Sequence, residues 1–136
     1  MKLSENFTLE EMISSSTASK RNIPNLPEHE QIANLRRLCI EILQPVRNAF
    51  GKPLTVTSGF RSQALNKAVG GSLSSQHLQG EAADLVSRDN KKLWSTIIGM
   101  IKSGEIEVGQ LINEKNLKWI HISLPSERHH NQILAI

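Results

Sequence analysis

Apolar and polar positions follow two different rhythms along this chain. Between Glu28 and Phe50, the residues Ile32, Leu35, Cys39, Ile42, Leu43 and Val46 recur at steps of three and four. That spacing predicts one amphipathic helix. Pro45 lies near its end, where a missing N–H and a bulky ring predict a kink or a shortening, and Gly51-Lys52-Pro53 terminates it. A second stretch, Asp89 to Ser103, carries Leu93, Trp94, Ile97, Ile98 and Ile101 on one face and predicts a second helix. Thr8 followed three positions on by Glu11 forms a capping box at the start of a short N-terminal helix. Ser62 to Val69 predicts a further short helix, stopped by Gly70-Gly71.

The second rhythm is that of strands. Leu54 to Ser58 is a short β-branched run, and Glu81 to Ser87 alternates, with Ala82, Asp84 and Val86 on one side and Ala83 and Leu85 on the other. Val108 to Asn113 and Lys118 to Ser123 predict a hairpin around Glu114-Lys115-Asn116-Leu117, with the loop length uncertain by a residue or two. Ser14 to Ser19 and the Pro-bearing Asn22 to Pro27 are expected to be loop that wraps over the body. Gly71 to Gly80 is expected as a Ser/Gly loop, and the residues after Leu124 as a polar tail ending in Ile133 to Ile136. Helices come first and antiparallel strands later, which predicts an α+β fold with an antiparallel sheet packed on helices.

At 136 residues the chain is expected to form a single domain. Within it, 1–27 would be the N-terminal helix and wrapping loop and 28–136 the core. Lysine and arginine exceed aspartate and glutamate by 16 to 13, a scattered +3. With no Tyr, three Phe and two Trp, stacking platforms for nucleic-acid bases are hard to build, so no nucleic-acid partner is expected. No stretch approaches the roughly 20 apolar residues of a membrane span. Residues 1–9 lack the apolar run of about 7–15 residues that marks a secretory signal. That predicts synthesis in the cytoplasm. Cys39 is the only cysteine, so a thiolate metal cluster is excluded and any metal site must use His and carboxylate ligands. Its place in an apolar helical face marks it as core.

The candidate chemistry lies between residues 75 and 123. His77 is followed seven positions later by Asp84, and a distant His121 sits in the hairpin. Two imidazoles and a carboxylate leave one position of a tetrahedral zinc open, the pattern of a catalytic site. By spacing alone the three residues also suit a loop histidine, a strand-end carboxylate and a half-buried strand histidine. If the strands holding Asp84 and His121 are neighbours, all three side chains converge.

Thr57-Ser58-Gly59-Phe60-Arg61-Ser62, then Asn66, then Gly70-Gly71-Ser72, then Ser75-x-His77-x-x-Gly80-x-Ala82-x-Asp84, then Trp119-x-His121-x-Ser123 resemble the zinc D-alanyl-D-alanine carboxypeptidase family. The resemblance is narrower still to the small single-domain members common in bacteriophages. Phe7 to Met12 and the Asn25…Pro27 loop also match that group. The resemblance implies the α+β fold shared with Hedgehog signalling domains, Zn2+ on His77, Asp84 and His121, and hydrolysis of peptidoglycan peptides by a monomeric, lysin-like enzyme. Such an enzyme would act on the wall after release or as part of a phage particle. It implies that Arg61 handles the substrate's carbonyl or carboxylate, and that Ser75 is a polar substrate or supporting contact. Trp119, on the strand face of His121, completes the expected substrate contacts.

The chain departs from the family at one point. Many members carry an acidic residue three positions before the final His, where this chain has Lys118. Glu114 is the expected general base instead. If Glu114 pairs with Trp119, cross-strand pairing puts it on the face of His121; a one-residue slip sends it to the other face. The competing expectation is a zinc-containing module of the same fold that binds wall or partner without catalysis. His29 is expected to be solvated, and His129-His130 to lie near an exposed tail.

Overall fold

The computed structural model describes residues 1–136, with helices α1 (Leu9–Ile13), α2 (Ser16–Arg21), α3 (His29–Leu38), α4 (Gln44–Phe50), α5 (Gln63–Ala68) and α6 (Asn90–Ser103). The strands are β1 (Thr55–Ser58), β2 (Ala82–Val86), β3 (Gln110–Glu114), β4 (Trp119–Ser123) and β5 (Gln132–Ala135). They form one sheet in the order β1-β2-β4-β3-β5. The α+β expectation holds. The first four strands are antiparallel to their neighbours, and β5 joins as a parallel edge strand beside β3. The sheet is therefore mixed.

The long helix of residues 28–50 is continuous but not uniform. Between α3 and α4, Cys39–Leu43 form a π-helical turn, in which the Gln44 N–H bonds back to Cys39. Pro45 follows the π-turn inside the continuous helix; it gives no N–H to the ladder, and the widened turn before it makes room for its ring. The proline thus changes the hydrogen-bond pitch and leaves the helix unbroken. Leu35, Leu38, Cys39, Ile42, Leu43 and Val46 are buried along it, and α6 adds Leu93, Ile97 and Met100. Ala83 and Leu85 of β2, Leu111 of β3, and Ile120 and Ile122 of β4 join them in the same core. Full burial of each such large aliphatic stabilises the fold by about 1.5–3 kcal/mol. Alternation along β2, β3 and β4 sends the intervening residues to the opposite, open face.

Three further expectations need correction. Ser14 to Ser19 is not all loop: Ser15 caps α2 by accepting from the Ala18 N–H, and Asn22 closes it in a left-handed conformation. No residue of α2 is buried, so no apolar period marked it. The tail after Leu124 contains β5, whose pairing with β3 is non-local and whose residues are mostly exposed. The stretch from 71 to 80 ends in a 3-10 helix, Gln76–Gln79, capped by Ser75 and closed by Gly80 at φ 73°. A Cβ at Gly80 would also meet the Gln31 carbonyl oxygen at 2.6 Å, so both backbone geometry and space require glycine there.

Candidate metal centre

Asp84 and His121 are directly opposite one another on the neighbouring strands β2 and β4, and Ile112 of β3 extends the row. Paired residues project to the same face, so the carboxylate and the imidazole rise together from the open side of the sheet. His77 reaches that face from the 3-10 helix. Its Nδ1 donates to the Gly59 carbonyl at 2.7 Å, which leaves Nε2 as the inward-facing ring nitrogen, 3.3 Å from Asp84 Oδ1. His121 Nδ1 lies 3.1 Å from the same oxygen. The two rings meet edge to face with centroids 5.2 Å apart.

The three donor atoms lie within 4.8 Å of one another, a set that can hold a metal ion. Zinc bonds of about 2.0–2.1 Å in a tetrahedral arrangement separate ligand atoms by roughly 3.3 Å. The spacings of Asp84 Oδ1 to both ring nitrogens match that demand. The donor set fits zinc.

Burial works against an ionised Asp84. Hydrogen bonds from His121 and His77, and the charge of those rings, outweigh it and hold the carboxyl well below the usual carboxylate range. Its second oxygen is also engaged: Arg61 Nη2 stands 3.4 Å from Oδ2. The guanidinium is fixed by Ser58, which accepts from Nε at 3.0 Å, and by Asn66, whose Oδ1 accepts from Nη1 at 3.3 Å. These contacts use three of the five N–H groups of an arginine. The other two are free to serve a bound group, so the ion pair leaves donors available in the cleft.

An open cleft of about 490 Å³ lies over this face, lined by Arg61, Ser75, His77, Asp84, Glu114, Trp119 and His121 among its 15 residues. The seven candidate site residues named from the sequence therefore share one cleft. Glu114 pairs with Trp119, which puts it on the face of His121. The loop of the hairpin is Lys115 to Lys118, so Glu114 is a strand residue and Lys118 an exposed loop residue. The Trp119 Nε1–H donates to Glu114 Oε2 at 2.9 Å, so the indole orients the carboxylate as well as lining the cleft. Ser75 accepts from the His77 N–H at 3.2 Å and steadies the backbone of His77.

Two residues of the quoted motifs, Asn25 and Gly59, support the centre through contacts that the sequence did not reveal. Asn25 donates to the carbonyls of Ile13 and Phe60 and accepts from the Ser62 N–H. It thereby locks the N-terminal loop onto the turn that carries Arg61. A Cβ at Gly59 would collide with the Met12 carbonyl, so glycine lets α1 pack against the turn whose carbonyl orients His77. These contacts join residues far apart in the chain, and local pattern carries no trace of them. No helix is long and apolar enough to cross a membrane.

The family model for Peptidase M15 matches residues 5–123, and the chain belongs to that peptidase family. Over 44 residues it is 54% identical to the zinc D-Ala-D-Ala carboxypeptidase of Streptomyces albus G, a match covering 32% of this chain and 17% of that relative. The chain thus aligns with less than a fifth of that enzyme's length.

Proposed function

We propose that this protein is a zinc metallopeptidase that hydrolyses peptide bonds in the stems or crosslinks of bacterial peptidoglycan, as a single-domain, monomeric, lysin-like enzyme. The observation that carries the reading is the convergence of His77, Asp84 and His121 at zinc-ligand spacing in a cleft that also holds Glu114 and Arg61. His77 Nε2, Asp84 Oδ1 and His121 Nδ1 would hold the ion. Zinc held there supplies a Lewis acid that polarises a carbonyl and makes a water molecule acidic near neutral pH.

The protein's own groups handle the rest. Glu114 accepts the proton of the attacking water and returns it to the leaving amine, the work of a general base positioned in the cleft. Trp119 holds one of its oxygens and leaves the other for the proton. Arg61 donates its unused N–H groups to the substrate's carbonyl or carboxylate while it keeps Asp84 Oδ2 occupied, which leaves Oδ1 for the metal. Ser75 and Trp119 line the path of the peptide. The acidic residue that many family members carry three positions before the last His is supplied here from the facing strand.

Metal analysis of the purified protein with mass spectrometry of a peptidoglycan digest tests the reading. The expected result is one zinc per chain and new peptide ends at D-alanyl-D-alanine, crosslink or L-alanyl-D-glutamate bonds. A zinc-replete protein that releases no wall peptide overturns it in favour of a non-catalytic wall-binding module.

A further inference from the structure

We infer that His129 is a substrate-positioning residue, accepting a hydrogen bond from a peptide N–H on the β3–β5 wall of the cleft. The inference rests on the peptidase reading above. The two adjacent histidines diverge. His130 is exposed and stands 3.7 Å from Glu107, whereas His129 lines the cleft with the metal ligands. It enters just before β5, at the end of the sheet opposite β1 and the Arg61 turn that follows it.

The residue is held as a built site would hold it. Ser126 and His129 close a tight turn, with the Ser126 N–H on the His129 carbonyl at 2.9 Å and the His129 N–H on Ser126 Oγ at 3.2 Å. Two residues on, Asn131 takes a left-handed φ of 49° and exchanges hydrogen bonds with the backbone of Val108. The ring is then fixed by Gln132, whose Oε1 lies 3.0 Å from His129 Nδ1 and also accepts from Gln110 Nε2 at 3.0 Å. An amide oxygen only accepts, so His129 Nδ1 carries the proton. Nε2 has no hydrogen-bond partner in the protein and, with the proton on Nδ1, is the ring's acceptor position, in a cleft that an extended peptide would occupy. The group that satisfies it is an N–H donor, and a peptide backbone supplies one at every residue except proline.

Asparagine and glutamine separate this role from simple bracing of Gln132. His129→Asn keeps a donor where Nδ1 was and removes the outer acceptor; His129→Gln carries an acceptor out to the position of Nε2. The zinc-loaded full chain is assayed on one synthetic stem peptide containing both L-alanyl-D-glutamate and D-alanyl-D-alanine bonds. We expect His129→Asn to raise KM by about five- to tenfold, the worth of one hydrogen bond, with kcat, zinc content and Tm near those of the wild type. His129→Gln should recover most of the loss. If His129→Asn leaves KM unchanged while the wild type cleaves the peptide, the inference falls and the peptidase reading stands. Equal failure of both variants, accompanied by a lower Tm, makes the residue a brace and also overturns it. A zinc-loaded wild type that leaves the peptide intact overturns both.

Discussion

Across the β3–β4 hairpin, Trp119 donates its indole N–H to Glu114, Nε1 to Oε2 at 2.9 Å. One hydrogen bond thus ties a cleft-lining aromatic to the carboxylate proposed as general base, on strands whose register also places His121. Glu114→Gln keeps the shape and the zinc ligands but cannot take a proton. Its kcat on a wall peptide should fall by about 10²–10⁴-fold with zinc content unchanged. Trp119→Phe leaves Glu114 in place without its donor, and kcat should fall by about five- to tenfold. Full activity of Glu114→Gln would remove this residue from the mechanism.

Asp84, proposed as a zinc ligand, is also the shared partner of His77, His121 and Arg61. Substituting Ala strips both histidines and Arg61 of their shared partner, so zinc should be lost from the purified protein. The metal-free form should also be destabilised by on the order of 3 kcal/mol, as when one member of a buried ionic group is removed. Denaturant unfolding of both metal-free proteins measures the second effect.

The same carboxylate sets an acid limit on the metal-free protein. Its folded pKa lies below the ordinary value of 3.8, so the unfolded chain takes up the Asp84 proton first as acid is added. The stabilisation is complete above that value and is lost as the pH falls through the lower folded one. Unfolding free energies measured from pH 6 downward should therefore decline more steeply below pH 4 in the wild type than in Asp84→Asn. Equal slopes would contradict this assignment.

Asn113 holds the register that brings Glu114 into the cleft. Its Oδ1 accepts from the Leu117 N–H at 2.6 Å, bracing a loop in which Lys115, Asn116 and Leu117 all have positive φ. Such conformations are costly for non-glycine residues, so the loop depends on its side-chain bond. Asn113→Ala should cost about 1 kcal/mol of stability and lower kcat severalfold while zinc binding persists. Lys115→Gly, which relieves one strained position, should raise Tm.

Cys39 gives a chemical probe of the core. Burial first, and the charge of Glu11 second, push its thiol up to about 12, with Arg36 opposing them. The thiol therefore stays protonated and enclosed at pH 8. A thiol reagent should label it only after denaturant is added, and labelling of the native protein at pH 8 would show that the helix opens locally.

The sequence by itself determined the elements with strong local patterns and the candidate donors. The three- and four-residue period of the long helix, the capping box at Thr8 and the alternation around Asp84 are legible in adjacent residues, and the His77, Asp84 and His121 set in the motif blocks around it. What it left open were features whose determinants are distant or exposed. α2 has caps but no apolar face. β5 exists because a returning segment finds the free edge of β3. The π-turn is an answer to Pro45 that only a packed helix reveals. Above all, sequence left Glu114 between two faces, because side chains alternate with a period of two and one residue of slip reverses them. The tertiary structure decided it. A four-residue loop braced by Asn113 and Asn90 pairs Glu114 with Trp119, and that pairing alone brings the carboxylate to the same face as the metal ligands.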